Sequence, residues 1–318
     1  MRAAVVVDPN QPPKYQWFPD PVLEDGEVLV KVRAAGLHPI VKALASGAHY
    51  ASAKGSREPS VPGVDGVGVL EEGRRVYFGL FRKPWGTMAE VAPAPRNFCI
   101  PLPENLNDVH AAAIVNPGMS AWVTLMERAR LAAGETVLVL GATGVAGQLA
   151  MQSARLLGAR RVIAAGRNVD ALAGADVDAV VALSQPEDAV REAFAAETAK
   201  GIDIVVDYLW GRPAELLLEA LAKGFNLAAT HRTRWVEVGS MAGTTITLPA
   251  ATLRSVDLTL MGSGFGAARL DRILATIPTL FQMAATGRLS IDPEPVPLAD
   301  VESAWNRQEK GRRIVFTV

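Results

Sequence analysis

Cysteine is almost absent from this chain. Its 318 residues contain one, Cys99, which excludes an intrachain disulfide and any zinc site built from cysteines. Cys99 stands between Phe98 and Ile100 and reads as a small buried hydrophobe. Histidine is scarce too: His38, His49, His110 and His231 are scattered without metal-ligand spacing, so no bound metal is expected. No apolar run approaches the roughly 18 residues that a membrane-spanning helix needs. The apolar stretch Ala3 to Val7 stops at Asp8 and Pro9, too short for a signal-peptide core, so a cytoplasmic protein is expected. Neither sign of charge dominates. With a net charge of −1 there is no polybasic stripe for nucleic acid or a membrane surface, and the expected partner is a small molecule.

What the chain has in quantity is apolar sequence, 49% of residues, in a length too great for one ordinary core. The first third carries β-branched strand signals at Val28 to Arg33 and Val67 to Leu70, with a loop-rich stretch, Gly47 to Pro62, between them. A helical region opens at Ala111 and runs, with a break at Asn116-Pro117-Gly118, to about Leu131. From Gly134 the texture alternates. Apolar runs at Thr136–Leu140, Val162–Ala165, Val180–Leu183, Ile204–Val206, Trp235–Val238 and Leu258–Met261 are separated by Ala- and Leu-rich segments of helical spacing. Continuous apolar strands spaced by helices predict a parallel sheet covered on both faces. The tail from Ile291 returns to short strands and one helix around Val301 to Gln308. The expected fold is α/β: a Rossmann-type doubly wound domain, residues 117–266, and a β-rich GroES-like catalytic domain from both chain ends, residues 1–116 and 267–318.

The strongest motif is Gly141-Ala142-Thr143-Gly144-Val145-Ala146-Gly147, directly after the apolar run Val137 to Leu140. A buried strand, a glycine turn and a helix of small residues form a phosphate cradle. Missing side chains admit a pyrophosphate to the backbone amides, and the helix N-terminus adds positive partial charge. The spacing is Gly141, Gly144, Gly147, with Thr143 where the alcohol-dehydrogenase form has its second glycine.

This turn resembles that of the zinc-independent medium-chain reductases of the quinone oxidoreductase type, and the resemblance covers essentially the whole chain. Pro62-Gly63-Val64-Asp65-Gly66-Val67-Gly68 resembles the family's Pro-Gly-x-Asp-x-x-Gly segment, and Gly86-Thr87-Met88-Ala89-Glu90 its Gly-Thr/Ser-Tyr-Ala-Glu. Ala132 to Val137 resembles its Lys-Pro-Gly-Glu-x-Val, Val238-Gly239-Ser240 its late strand end, and Gly311 to Val315 its C-terminal Gly-Lys-x-Val. The cysteines and the Gly-His-Glu of zinc-bearing relatives are missing here, so alcohol oxidation on a metal is not expected.

The resemblance implies further cofactor contacts. Asn116 and Ser120 would approach the nicotinamide ribose; Gly239, Ser240, Ser263 and Phe265 would lie about the ring; Gly141, Thr143, Gly144 and Val145 would hold the pyrophosphate. The second strand ends Gly166-Arg167-Asn168, where NAD-binding forms place a carboxylate on the ribose hydroxyls. Arg167 can instead pair with a 2′-phosphate, which makes NADPH the expected cofactor; an ordinary solvated arginine is the alternative.

In the family's Gly-Val-Asn-Pro-x-Asp segment this chain reads Gly36-Leu37-His38-Pro39-Ile40-Val41, so the transfer of catalytic roles is not direct. His38 and Tyr50 are the candidate donors to an acceptor carbonyl; a turn histidine and a packed tyrosine are the structural alternatives. The implied activity is NADPH-dependent, metal-free hydride transfer to quinones or other activated conjugated carbonyls, by a homodimer paired through the edge near Leu258 to Ser263. Enoyl-thioester reduction, or NADPH binding for regulation with little turnover, are the alternatives. Trp210 either borders the cleft or packs, and the basic loop Ala229 to Arg234 carries no assigned role.

Overall fold

The computed structural model describes residues 1–52, 58–79, 82–224, 231–264, 266–308 and 311–318. The chain divides into two compact units, Met1–Asn116 with Ile277–Val318, and Pro117–Thr276. In chain order the first stretch holds β1 (Arg2–Val5), β2 (Lys14–Trp17), β3 (Glu27–Gly36), α1 (Pro39–Ala45), β4 (Asp65–Val69), β5 (Arg75–Gly79), β6 (Val91–Pro95), β7 (Ile100–Pro101) and α2 (Asp108–Val123). The middle holds β8 (Thr136–Leu140), α3 (Val145–Leu156), β9 (Arg161–Gly166), β10 (Ala179–Ala182), α4 (Glu187–Thr198), β11 (Ile204–Asp207), α5 (Gly211–Lys223), β12 (Thr233–Glu237), α6 (Ala250–Ser255) and β13 (Leu258–Gly262). The tail adds α7 (Leu270–Ala285), β14 (Pro293–Pro297), α8 (Val301–Ala304) and β15 (Arg313–Thr317).

The β-rich unit is built on a sheet of order β14-β15-β3-β4-β5-β7, with β6 also paired to β3. Alternation along β3 buries Val28, Val30 and Val32, which pack with Val76, Phe78 and Ala92. A second cluster gathers Ala3 and Val5 of β1 with Leu37, Met88, Ile314 and Phe316, so the two chain ends share one core.

The α/β unit is a six-stranded, wholly parallel sheet in the order β10-β9-β8-β11-β12-β13. The central strands are largely apolar because helices cover them: on one face Leu138, Ile163, Val205 and Trp235 pack against Phe194, Leu217 and Leu221 from α4 and α5, and α3 lies against β8 and β9. The order reverses at β8, whose neighbours are β9 on one side and β11 on the other. In such a sheet that reversal opens a crevice at the carboxyl ends of the strands.

Two expectations need correction. The break at Asn116-Pro117-Gly118 is absent: α2 runs through Pro117 and ends in a π-helical turn, Thr124–Arg128. A proline inside a helix removes one backbone hydrogen bond, and burial of Ala111 to Val115 and of Ala121, Val123 and Leu125 holds the helix through it. The tail helix is shorter than the periodicity suggests, four residues of α8.

Candidate functional site

The α/β unit places the glycine turn at the crevice. Leu140 ends β8 beside Ala165 of β9, and the amides of Gly141 and Ala142 both donate to the Ala165 carbonyl, at 2.9 and 3.1 Å. Each glycine has a separate reason. Gly141 has φ +88°, a conformation other residues avoid. A β-carbon on Gly147 would stand 2.2 Å from the Gly141 carbonyl oxygen, so only glycine lets α3 pack on the turn. A β-carbon on Gly144 would meet only that same oxygen, at 3.5 Å, leaving this side of the turn open. Gly144 is the N-cap of α3, no side chain caps the helix, and the first amides remain available to an anion. Val145, the first helical residue, is buried and anchors that end. A dinucleotide pyrophosphate fits this cradle.

Beside it, Gly166 closes β9 and Arg167 and Asn168 follow, both exposed. Asn168 is committed locally: its side-chain oxygen accepts from the Ala171 amide at 3.4 Å. Arg161 and Arg155, by contrast with Arg167, are spent on Glu197 and Asp178. No carboxylate stands at the end of β9, so a 2′-phosphate would meet the Arg167 guanidinium without a repelling neighbour on that strand.

The carboxyl ends of β11, β12 and β13 complete this edge. Asp207 ends β11 fully buried, and its Oδ1 accepts from the amides of Leu209 and Trp210, both at 2.8 Å; Oδ2 accepts from Trp235 Nε1 at 3.1 Å. These bonds hold the turn in which Trp210 takes φ +52°. Burial pushes the Asp207 carboxyl up to about 6 against the pull of the hydrogen bonds. Glu237, its register partner at the end of β12, is raised as well, by burial and then by the Asp207 charge. The loop after β12 is laced to the turn after β11: the amides of Val238 and Gly239 donate to the Asp207 carbonyl, and Ala242 donates to Leu209. Ser240 is exposed on that loop. Ser263 follows β13, with its amide on the Glu237 carbonyl at 2.8 Å and its hydroxyl accepting from Thr124 at 2.9 Å. Phe265 lies outside the described residues.

Asn116 and Ser120 are one turn apart on α2 and share a face. Tyr208, after β11, is raised well above the ordinary phenol range by burial of its hydroxyl, opposed by the Ser120 side chain. Sequence reasoning missed Asp207 and Tyr208; the available signal was a charged residue closing an otherwise apolar strand.

In the β-rich unit, His38 is the N-cap of α1, yet its side chain does not cap the helix. The imidazole is turned inward, 1% exposed, with Nε2 at 3.3 Å from Asp65 Oδ1. It sits where Gly36 has no side chain: a β-carbon there would stand 2.4 Å from Nε2. The Tyr77 hydroxyl donates to the other oxygen of Asp65 at 2.5 Å, and burial together with that carboxylate pushes the Tyr77 pKa far up. Thr87 braces the segment, donating to the Asp65 carbonyl at 2.8 Å. His38, Asp65 and Tyr77 thus form one buried polar group, and the last two were not singled out from sequence. Tyr50 lies apart from it, 72% exposed, its ring 4.1 Å from that of His49.

Among the described residues no three His, Cys, Asp or Glu side chains are grouped to hold a metal ion, and no helix is long and apolar enough to cross a membrane. The basic stretch before and into β12 is structural where it is described; Ala229 and Thr230 lie outside the described residues. Arg234 pairs with Glu135 at 2.5 Å and donates to the Ala129 carbonyl, and His231 faces Asp203 at 3.1 Å.

Three similarities bear on family. A protein of Emericella nidulans named "Probable NADPH-dependent quinone reductase" is 29% identical over 360 residues, 99% of each chain. The human quinone oxidoreductase is 31% identical over 238 residues, covering 69% of this chain and 66% of the human one. The quinone oxidoreductase of Thermus thermophilus, solved alone and with NADPH, superposes over the whole of both chains with a TM-score of 0.78 at 28% identity. The chain belongs to the quinone oxidoreductase branch of the medium-chain reductases. No family model matches it. Its membership agrees with the parallel sheet order and with the glycine turn at the sheet's reversal.

Proposed function

We propose that this protein is an NADPH-dependent, metal-free reductase that delivers hydride to quinones or other activated conjugated carbonyl compounds. The observation that carries this reading is the open α3 N-terminus behind Gly144 set beside a strand end, Gly166-Arg167, that bears no carboxylate. The α3 amides hold the pyrophosphate and Arg167 the 2′-phosphate, and Ser120, Gly239, Ser240 and Ser263 serve the nicotinamide half. NADPH, when bound, supplies a hydride with its electron pair. A quinone that takes up this hydride and one proton becomes the hydroquinone, leaving NADP⁺, so no further reductant is needed. The proposed proton and hydrogen-bond donor to the acceptor is Tyr50, 72% exposed; His38, 1% exposed against Asp65, is proposed to act from behind, through the buried group it forms with Asp65 and Tyr77. Steady consumption of NADPH with 9,10-phenanthrenequinone, and none with a crotonyl thioester, is the expected assay result. Turnover with the thioester alone would favour enoyl reduction, and none with either a binding protein.

A quinone is already a strong hydride acceptor, so it needs mainly proximity and one modest donor. Tyr50→Phe and His38→Ala should each lower kcat for quinones by less than about tenfold, well short of the roughly 10²–10³-fold loss when an oxyanion-hole donor is removed. Enones, being less electrophilic, should lose more, with NADPH affinity unchanged. Rates untouched for every acceptor would make both residues bystanders.

With a single cysteine and, among the described residues, no grouped ligands, activity should survive dialysis against EDTA, and elemental analysis should find no stoichiometric zinc. One zinc per chain would reject this. The proposed assembly is a homodimer. β13 is one of the two edges of the parallel sheet and exposes Leu260 to 36%, an apolar edge that needs pairing or cover. Light scattering should give twice the chain mass at micromolar concentration; a strict monomer would refute the pairing. The proposed location is the cytoplasm, which cell fractionation tests.

A further inference from the structure

Thr143 in the glycine turn and Gly166 at the end of β9 are far apart in sequence and pressed together in the fold. A β-carbon on Gly166 would lie 2.7 Å from Thr143 Cγ2 and 3.3 Å from its Oγ1. The next atom, the Thr143 backbone nitrogen, is at 3.5 Å, an ordinary contact. The whole obstruction is therefore the Thr143 side chain. Gly166 is not among the glycines of positive φ, so its backbone would accept any residue. Neither partner can readily retreat. The Gly141 and Ala142 amides tie the turn to Ala165, Gln148 Nε2 donates to the Thr143 carbonyl at 3.3 Å, and the Gly166 carbonyl accepts from Leu183 at 2.9 Å. Turning χ1 so that the Thr143 hydrogen takes the Cγ2 position still leaves a heavy atom where Oγ1 now stands, 3.3 Å from that β-carbon and tighter than an ordinary contact.

We propose that Thr143 sets the nucleotide choice from behind: its side chain fills the space that a residue-166 side chain would need, which bars a carboxylate from the ribose position. An acid at this strand end grips the ribose hydroxyls of NAD and repels a 2′-phosphate. Thr143 thereby keeps the site for NADPH without touching the phosphate itself. This rests on the NADPH reading above.

The test is a cycle of Gly166→Asp, Thr143→Ala and the double variant, read by cofactor titration and by thermal melting. Gly166→Asp alone should melt several degrees lower than the parent, lose NADPH affinity by about 100-fold or more, and gain no NADH affinity. Adding Thr143→Ala should restore melting to that of the Thr143→Ala protein and tighten NADH by about tenfold over the parent, with NADPH still lost. If Gly166→Asp folds too poorly to titrate, Gly166→Ala makes the same contact with one methyl and gives the melting comparison. Gly166→Asp binding NADH as well as the double variant, at the parent's melting temperature, would overturn the proposal. So would a double variant that melts normally but gains no NADH. A parent protein that prefers NADH would instead sink the nucleotide reading, and the melting cycle would still decide whether Thr143 excludes a side chain at 166.

Discussion

Arg167→Glu is expected to cost NADPH about 2–4 kcal/mol of binding, a loss of roughly 30- to 1,000-fold, and to leave NADH indifferent or slightly improved. Two effects add. The charge-assisted fork to the 2′-phosphate disappears, and a carboxylate now faces that phosphate at an exposed position directly after β9. NADH has no 2′-phosphate and so feels neither. The measurement is the pair of dissociation constants in parent and variant, at one ionic strength because exposed charges are screened by salt. A parallel loss for both cofactors would make Arg167 structural and remove the main support for the nucleotide assignment.

The second large effect is on stability against pH, through Asp207. In the unfolded chain its carboxyl titrates near the ordinary value of about 4; in the folded protein burial holds it at about 6. The folded state therefore binds more protons across that window. Unfolding free energy should fall as pH rises through it, by about 3 kcal/mol from this one group. Glu237 is raised in the same direction, in part by the Asp207 charge, and steepens the fall. Asp207→Asn has no charge to desolvate and should lose most of the slope. It should also start lower in acid, because an amide N–H would replace the oxygen that accepts from Trp235, at a cost of about 1–3 kcal/mol. Urea unfolding of both proteins between about pH 4 and pH 7 should show curves that converge as pH rises. Curves that stay parallel would mean Asp207 is ionised throughout.

The α/β unit was legible because its central strands are buried and so read as mostly apolar runs, most of them followed by helix. The glycine turn was legible because its three glycines answer three local demands, which the chain meets within seven residues. Two kinds of feature were not legible. Pro117 signals a break by local chemistry, and only the tertiary packing of α2 overrides it. The group of His38, Asp65 and Tyr77 and the contact of Thr143 with Gly166 depend on strand register, Asp65 against Gly79 and Leu140 against Ala165, and no spacing along the chain encodes them. Asp207 falls between these cases. A carboxylate ending an apolar strand was visible, but its three hydrogen-bond partners come from a turn and a neighbouring strand.

The central claim is that this chain passes hydride from NADPH to a quinone through its own residues and without a metal. The most direct measurement is the rate of NADPH oxidation by protein dialysed against EDTA, with 9,10-phenanthrenequinone present, beside the same assay with NADH. The account predicts sustained quinone-dependent oxidation of NADPH, at a kcat/KM well above that for NADH. No quinone-dependent oxidation of NADPH, or oxidation that returns only when zinc is added, would contradict it.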